Sequence, residues 1–129
     1  MKTSAKQNGA KAIMAMHRWE DALPILLEDA TENPNDGWTC LYIGSCYYEL
    51  RESDKASEWF KRAKQLMPGN PTPLGCLGDV AHLVGDAVKA GEFYREALAI
   101  DPEDELAQKN WLRWLTSETD RENRVPGSS

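Results

Sequence analysis

The chain has 129 residues, a formal net charge of −6 at pH 7, and 41% hydrophobic and 28% charged residues. This length allows one domain with a sizeable core but not two independent ones, and the composition excludes the disordered and fibrous classes. An acidic surface repels phosphate groups, and no apolar stretch reaches bilayer length, so we expect no nucleic-acid partner, no membrane association and no signal peptide.

Basic residues are concentrated at the start of the chain. The first 18 residues contain four Lys or Arg and no acidic residue, so the remainder is strongly acidic. This split leaves open a homo-oligomer in which the N-terminal helix, with Ile13, Met14 and Met16, docks on the acidic body of another copy. The alternative is an ordinary first helix with solvated lysines.

A 34-residue interval organises the sequence. Pro34, Pro68 and Pro102 keep this interval, and so do three alanines that are each followed four residues later by a large apolar residue. The pairs are Ala22 with Leu26, Ala56 with Phe60, and Ala90 with Tyr94. A fixed period of this length predicts stacked helical hairpins, here over residues 3–36, 37–70 and 71–104.

The first repeat, residues 3–36, is the least regular. Ala10 stands where the later repeats have glycine, and Asp29 stands where they have a second alanine. Pro24 lacks the N–H that would bond to Glu20 inside a helix, so we expect the second helix to start late, near Asp21, or to bend.

The second and third repeats show the clearest helix signals. Apolar residues with helical spacing give each first helix one apolar face, and a short polar turn follows. Ser53 and Asp54 are the predicted capping residues of the second helix of residues 37–70. Thr72-Pro73 is predicted as an N-cap followed by the first helical residue, and Asp101-Pro102 as the same device for the next helix.

The recurring positions resemble those of the tetratricopeptide repeat family. In the second repeat they are Cys40, Ile43-Gly44, Tyr47, Ala56, Phe60, Ala63 and Pro68, and in the third Leu74, Leu77-Gly78, Ala81, Ala90, Tyr94, Ala97 and Pro102. The resemblance implies an all-α fold, an α-solenoid of about three tetratricopeptide-like helix-turn-helix repeats plus a C-terminal capping helix. The small residues stand where helices would cross closely.

The capping helix is predicted over residues 103–117, with Trp111 and Trp114 sealing the last hairpin. We expect residues 1–117 to form a single domain. Residues 118–129 contain few apolar groups to bury, so we expect them to form a flexible tail.

The family resemblance implies a non-enzymatic protein-protein interaction module that binds a partner peptide or segment in a concave groove. The groove would be lined by the first helix of each repeat. Trp38 and Tyr42 have an alternative interpretation, as ordinary packing between repeats. The residues predicted to face the groove are Lys11, Trp38, Leu41, Tyr42, Ser45, Tyr48, Asp79 and His82.

Some members of this family clamp the acidic C-terminal tails of heat-shock chaperones with lysines, asparagines and an arginine. The matching positions here are Gln7, Lys11, Tyr42, Thr72 and Cys76. Only Lys11 is cationic, so we expect that this chain does not hold a chaperone C-terminal carboxylate in that way.

Cys76, Asp79 and His82 suggest metal or thiol chemistry as a remote alternative. The outer two lie about 120° apart around a helix, which disfavours a common ligand. We therefore expect no metal, no cofactor and no enzymatic activity. The odd number of cysteines within helical patterns predicts free thiols in a reducing compartment, and hence a cytoplasmic protein.

Overall fold

A computed structural model describes residues 3–123, which form seven α-helices and no strand. The all-α prediction is confirmed, and each of the three predicted repeats contains two helices. Of the described helices, none combines the length and the apolar character needed to cross a bilayer. The helices are α1 (Ala5–Ala15), α2 (Trp19–Glu32), α3 (Gly37–Glu49), α4 (Ser53–Leu66), α5 (Thr72–Leu83), α6 (Ala87–Ile100) and α7 (Glu105–Glu122).

The described residues form two compact units, and the boundary lies between Pro68 and Gly69. In the first unit α1 packs on α2, α2 on α3, and α3 on α4. Trp59 packs against its core. The buried residues of this core are Ala10, Ala22, Leu26, Ala30, Ile43 and Cys46. The single domain expected over residues 1–117 stays a prediction.

In the second unit α5 and α6 form a hairpin, and α7 packs mainly on α6. Trp111 and Trp114 contact the cluster of buried residues around Tyr94, as predicted for residues that seal the last hairpin. The two indoles stack with their centroids 5.1 Å apart, and the Trp114 indole N–H donates to the Ala87 carbonyl at 2.8 Å. The capping role of α7 therefore has a specific anchor.

A small residue faces a large one inside each hairpin. A Cβ atom added to Gly44 would lie 2.6 Å from the Phe60 ring, and one added to Gly78 would collide with the Tyr94 ring. In the first hairpin Ala10 replaces the glycine, and the smaller Leu26 replaces the aromatic residue. The size of one partner thus compensates for that of the other, and the predicted close crossing is confirmed.

The turn within each hairpin uses the same backbone conformation. His17, Arg51 and Gly85, spaced by 34 residues, have positive φ angles of 58°, 64° and 85°. The residue after each of these three donates its N–H to a carbonyl of the hairpin's first helix, for example Glu52 N to Tyr47 O at 2.9 Å. Only the third turn uses glycine, the residue that adopts this conformation without strain.

Of the two alternatives predicted for α2, the late start is wrong, and the bend stays a prediction. The helix begins at Trp19, and the N–H groups of Asp21 and Ala22 bond to the Arg18 carbonyl. Pro24 lies inside the helix, but Glu20 is exposed, so water can pair with the carbonyl that Pro24 leaves without a donor.

Three predicted caps are also wrong. The cap of α5 is Pro71 rather than Thr72. The N-cap of α4 is Glu52, and Ser53 and Asp54 are the first two residues of that helix, which has no capping side-chain bond. Asp104, not Asp101, caps α7, because its carboxylate accepts the Ala107 N–H at 2.8 Å.

The helix α7 is longer than predicted. It continues past residue 117 to Glu122, and Glu118 and Arg121 form an ion pair one turn apart within this extension. Glu and Arg have high helix propensity and form ion pairs one turn apart, so this extension can be helical without burying an apolar face. The remaining residues of the predicted tail, 124–129, lie outside the described residues.

Candidate functional site

Helices α1 and α3 bring Lys11, Trp38 and Tyr42 together, and we call these three residues the aromatic cluster. The rings of Trp38 and Tyr42 lie 6.1 Å apart at a tilt of 31°, and the Lys11 ammonium lies 5.6 Å from the centroid of the Tyr42 ring. These distances suit aromatic and cation–π attraction. Trp38 is 42% exposed, so a large apolar surface faces solvent.

Tyr42 and Trp38 differ in how they are held. Tyr42 is half-buried and packs against the core of the first unit, which supports the packing interpretation for this ring. Trp38 is not part of that core. The exposed indole is therefore the member of the aromatic cluster best able to contact another molecule.

Leu41, Ser45 and Tyr48 are less exposed than Trp38. Leu41 is only 4% exposed, so it does not present a side chain to a ligand. Helix α3 packs on both α2 and α4, and its buried residues form more than a single stripe. The Ser45 hydroxyl donates to the Leu41 carbonyl at 3.0 Å, and Tyr48 is half-buried.

A cavity of about 330 Å³ opens beside Trp38, where the start of α1, the start of α3 and the end of α4 meet. We call it the Trp38 cavity. Apolar side chains form part of its wall, and Asp36 is the single ionisable residue among those that line it. The lining residues are Thr3, Gln7, Asn35, Asp36, Gly37, Trp38, Leu66 and Met67.

Asp36 is fixed by two hydrogen bonds. Its Oδ1 accepts the backbone N–H of Trp38 at 3.0 Å and so caps α3. Its Oδ2 accepts the side-chain amide of Gln7 at 3.2 Å. The carboxylate therefore has a set position at the wall of the Trp38 cavity.

A buried network holds Gln7 in turn. The Gln7 amide donates to the Thr39 hydroxyl at 2.9 Å, and that hydroxyl donates to Asp29 Oδ2 at 2.7 Å. Asp29 also accepts from Ser4 at 2.7 Å and from Asn33 at 3.0 Å. The network links α1, α2 and α3 behind the Trp38 cavity.

Burial alone would raise the pKa of Asp29, whose residue is 0% exposed. The hydrogen bonds from Ser4, Thr39 and Asn33, with the nearby charge of Lys6, outweigh burial and hold the pKa below its ordinary value. In the sequence, the only sign of this buried network is Asp29 at a position where the later repeats have alanine. Such a residue needs donors around it, but their positions are not visible in the pattern.

Asp79 and His82 belong to the second unit. The Tyr94 hydroxyl donates to Asp79 Oδ1 at 2.6 Å, and Arg113 approaches the same oxygen at 3.4 Å. Burial raises the pKa of Asp79, and the Tyr94 bond and the Arg113 charge offset this in part. Burial and the bond to Asp79 also raise the pKa of Tyr94. Asp79 is thus engaged within its own unit, whereas His82 is exposed.

Cys76 is poorly suited to thiol chemistry. Burial and the charge of Asp79 raise the pKa of its thiol to about 12, so the thiol stays protonated near neutral pH. Among residues 3–123, no three His, Cys, Asp or Glu side chains converge as metal ligands would. The structure therefore lends no support to the Cys76 and His82 alternative.

Comparison with known proteins gives two informative relatives. The chain is similar to the BBSome complex member BBS4 of Bos taurus, with 30% identity over 95 residues that cover 74% of this chain and 18% of that protein. The chain thus spans less than a fifth of that relative. The photosystem I assembly protein Ycf3 of Rippkaea orientalis is 26% identical, with 85% of this chain and 69% of that protein covered. No family model matches the chain.

Solved structures with a similar fold are tetratricopeptide-repeat domains. The Sgt2 domain of Aspergillus fumigatus has a TM-score of 0.81 at 16% identity and covers 96% of this chain and 85% of that one. The first such domain of Spaghetti (RPAP3), solved with an HSP90 peptide, has a TM-score of 0.78 at 12% identity, with 88% and 90% covered. These matches confirm the predicted fold class, an α-solenoid of tetratricopeptide-like repeats.

Proposed function

We propose that this chain, which has the fold of tetratricopeptide-repeat domains, is a non-enzymatic protein-interaction module that binds a peptide or segment of a partner protein. The observation that carries the proposal is the exposed indole of Trp38 beside Lys11 and Tyr42. Tryptophan is enriched among the interface residues that dominate binding energy.

The contact surface that we propose lies on α1 and α3 of the first unit. Trp38 would bury an apolar side chain of the partner, and the exposed Lys11 would meet an acidic group. Leu41 is left out because it is buried. Ser45, Tyr48, Asp79 and His82 stay predicted contacts.

Two of the similar solved domains carry chaperone peptides, from HSP90 and HSP70. For this chain we propose a different ligand. Of the positions that match the chaperone clamp, Gln7 is 4% exposed and its amide is used by Thr39 and Asp36. Of the clamp positions in the first unit, only Lys11 is then a cation. One cation cannot form the paired bonds that hold a terminal carboxylate.

The self-assembly alternative has less support. Lys6 pairs with Glu28 and Glu32 of the same chain, so its charge is already balanced. Ile13 and Met14 pack against the core of their own unit rather than standing free. Sedimentation at low salt tests this alternative, which requires association that increases with concentration.

Selection from a displayed library of random 12-residue peptides tests the proposed function. Peptides selected on the wild-type chain are expected to bind Trp38→Ala at least tenfold more weakly, and Lys11→Ala several-fold more weakly when they carry acidic residues. Val88→Ala, which changes an exposed apolar residue of α6, is the matched control and should leave affinity unchanged. Peptides that bind Trp38→Ala as tightly as the wild type would show that the surface is wrong.

A further inference from the structure

The Trp38 cavity has a distinct chemical character. Among the described residues that line it, Asp36 supplies the single ionisable group, and Trp38, Leu66 and Met67 supply apolar walls. Asn35, an exposed residue, also lines the cavity. The site therefore combines one fixed negative charge with an aromatic face and two flexible apolar side chains.

Asp36 can accept further hydrogen bonds. Each carboxylate oxygen has two lone pairs and can accept two hydrogen bonds. Here Oδ1 accepts one bond, from the Trp38 N–H, and Oδ2 accepts one, from the Gln7 amide. One acceptor direction on each oxygen remains. Because both existing donors fix the carboxylate, a partner would not have to order it on binding.

The walls suit a side chain that is apolar along its length and charged at its end. The alkyl stem of lysine or arginine can lie along Leu66 and Met67, while the charged group reaches Asp36. The Trp38 indole offers a face for cation–π contact. An acidic side chain would instead meet the like charge of Asp36. An apolar side chain would remove water from that charge without supplying an opposite charge.

We propose that the Trp38 cavity receives a basic side chain, lysine or arginine, of the partner segment; this inference rests on the proposed function. The position of Lys11 adds a direction to the segment. Lys11 lies one helical turn beyond Gln7 on α1, about 6 Å along the axis, which an extended peptide crosses in about two residues. The segment that fits has a basic residue at the cavity and an acidic residue roughly two positions away, over Lys11.

Asp36→Asn isolates the charge. Asparagine caps helices about as well as aspartate, so α3 keeps its start while the negative charge is lost. Asp104→Asn is the matched control, because Asp104 caps α7 in the same way and does not line the cavity. Circular dichroism of both variants should match the wild type.

The first measurement uses N-acetyl-arginine methylamide as the probe, titrated into the labelled chain and followed by amide chemical shifts. Shifts are expected at Gln7, Gly37 and Trp38. The uncharged citrulline analogue should bind at least fivefold more weakly, and Asp36→Asn should remove this preference while Asp104→Asn keeps it. Equal binding of the two probes, or shifts confined to other residues, would overturn the proposal.

The second measurement repeats the peptide selection on Asp36→Asn. Lysine and arginine should be enriched in peptides selected on the wild type and on Asp104→Asn, and not on Asp36→Asn. If the selected peptides need Trp38 but carry no basic residue, the cavity inference is wrong and the proposed function stands. If they do not need Trp38, the proposed function is wrong, and the arginine titration alone decides whether the cavity binds a cation.

Discussion

The hydroxyl of Thr39 donates a 2.7 Å hydrogen bond to the carboxylate of Asp29, and both residues are fully buried. Asp29 occupies the position that Ala63 and Ala97 occupy in the next two repeats. A charge in place of a methyl group is tolerated because Ser4, Thr39 and Asn33 all donate to it. We therefore expect the stability of the first hairpin to depend on pH in a way that the alanine-containing hairpins do not share.

We expect the first unit to lose stability in acid because of Asp29. Its folded-state pKa lies below the ordinary value of 3.8, so the ionised form stabilises the fold above that value. The contribution is lost as the pH falls below about 4 and through the lower folded pKa. Urea denaturation between pH 3 and pH 7 should show a smaller acid-induced loss for Asp29→Asn than for the wild type. Parallel curves for the two proteins would contradict this assignment.

A double-mutant cycle tests the hydrogen bonds themselves. Asp29→Ala restores the alanine of the later repeats but leaves buried donors unpaired, so we expect a loss of about 2–4 kcal/mol in the free energy of unfolding. Combining it with Thr39→Val, which has the same shape without the hydroxyl, should cost less than the sum of the single changes by about 1 kcal/mol. Additive losses would show that the two side chains are not coupled.

Arg51→Gly should stabilise the chain. Arg51 has a φ of 64°, a conformation that costs a non-glycine residue about 1 kcal/mol and costs glycine little. Gly85→Ala, at the equivalent turn, should destabilise by a similar amount. Met16→Gly is the control, because Met16 ends α1 at a φ of −91° and glycine there only increases the freedom of the unfolded chain. A stabilising Met16→Gly would show that the left-handed turn is not the cause.

The cysteines should react slowly with thiol reagents in the folded chain. Burial raises the pKa of Cys40, raises that of Cys46 to about 11, and, with the charge of Asp79, raises that of Cys76 to about 12. Thiolate is then a minor species at pH 7.5, and iodoacetamide labelling should be at least tenfold slower than for free cysteine. The same protein in denaturant is the control and should label at all three positions. Fast labelling of native Cys76 would revive thiol chemistry at this position.

The hairpins were predictable because their signals are local. The 34-residue interval and the small-large pairs are read directly from the chain, and packing follows them closely, as at Gly44 and Phe60. The left-handed turns were visible only at Gly85, since His17 and Arg51 carry no glycine signal. Caps were misassigned where several polar residues lie within a few positions, as at Asp101 and Asp104.

The candidate site was predictable only in part. Helical geometry predicted Trp38 and Tyr42 on the groove side of α3, with Lys11 at one end of the groove, and the structure places Trp38 and Lys11 beside Tyr42. Helical geometry alone could not show that Leu41 is buried, because burial on a second side of α3 depends on tertiary packing. The Trp38 cavity is formed by the ends of three helices, and no sequence period reports how such ends meet.

Gly44→Ala should destabilise the second hairpin by about 1–3 kcal/mol, because the new Cβ would lie 2.6 Å from the Phe60 ring. Phe60→Leu should recover part of this loss, since the core of the first hairpin already contains Ala10 and Leu26 at the equivalent positions, both fully buried. The double variant is then more stable than the sum of the single losses predicts, as measured by thermal and urea denaturation.

Gly9→Ala is the matched control for this change. Gly9 lies within α1, and a Cβ atom there would meet nothing within 4 Å, so only helix propensity changes. We expect it to stabilise the chain by about 0.5–1 kcal/mol. If Gly44→Ala were stabilising like Gly9→Ala, α3 and α4 would not cross as closely as the structure shows. If Phe60→Leu failed to rescue Gly44→Ala, the size compensation between the two positions would not extend from the first hairpin to the second.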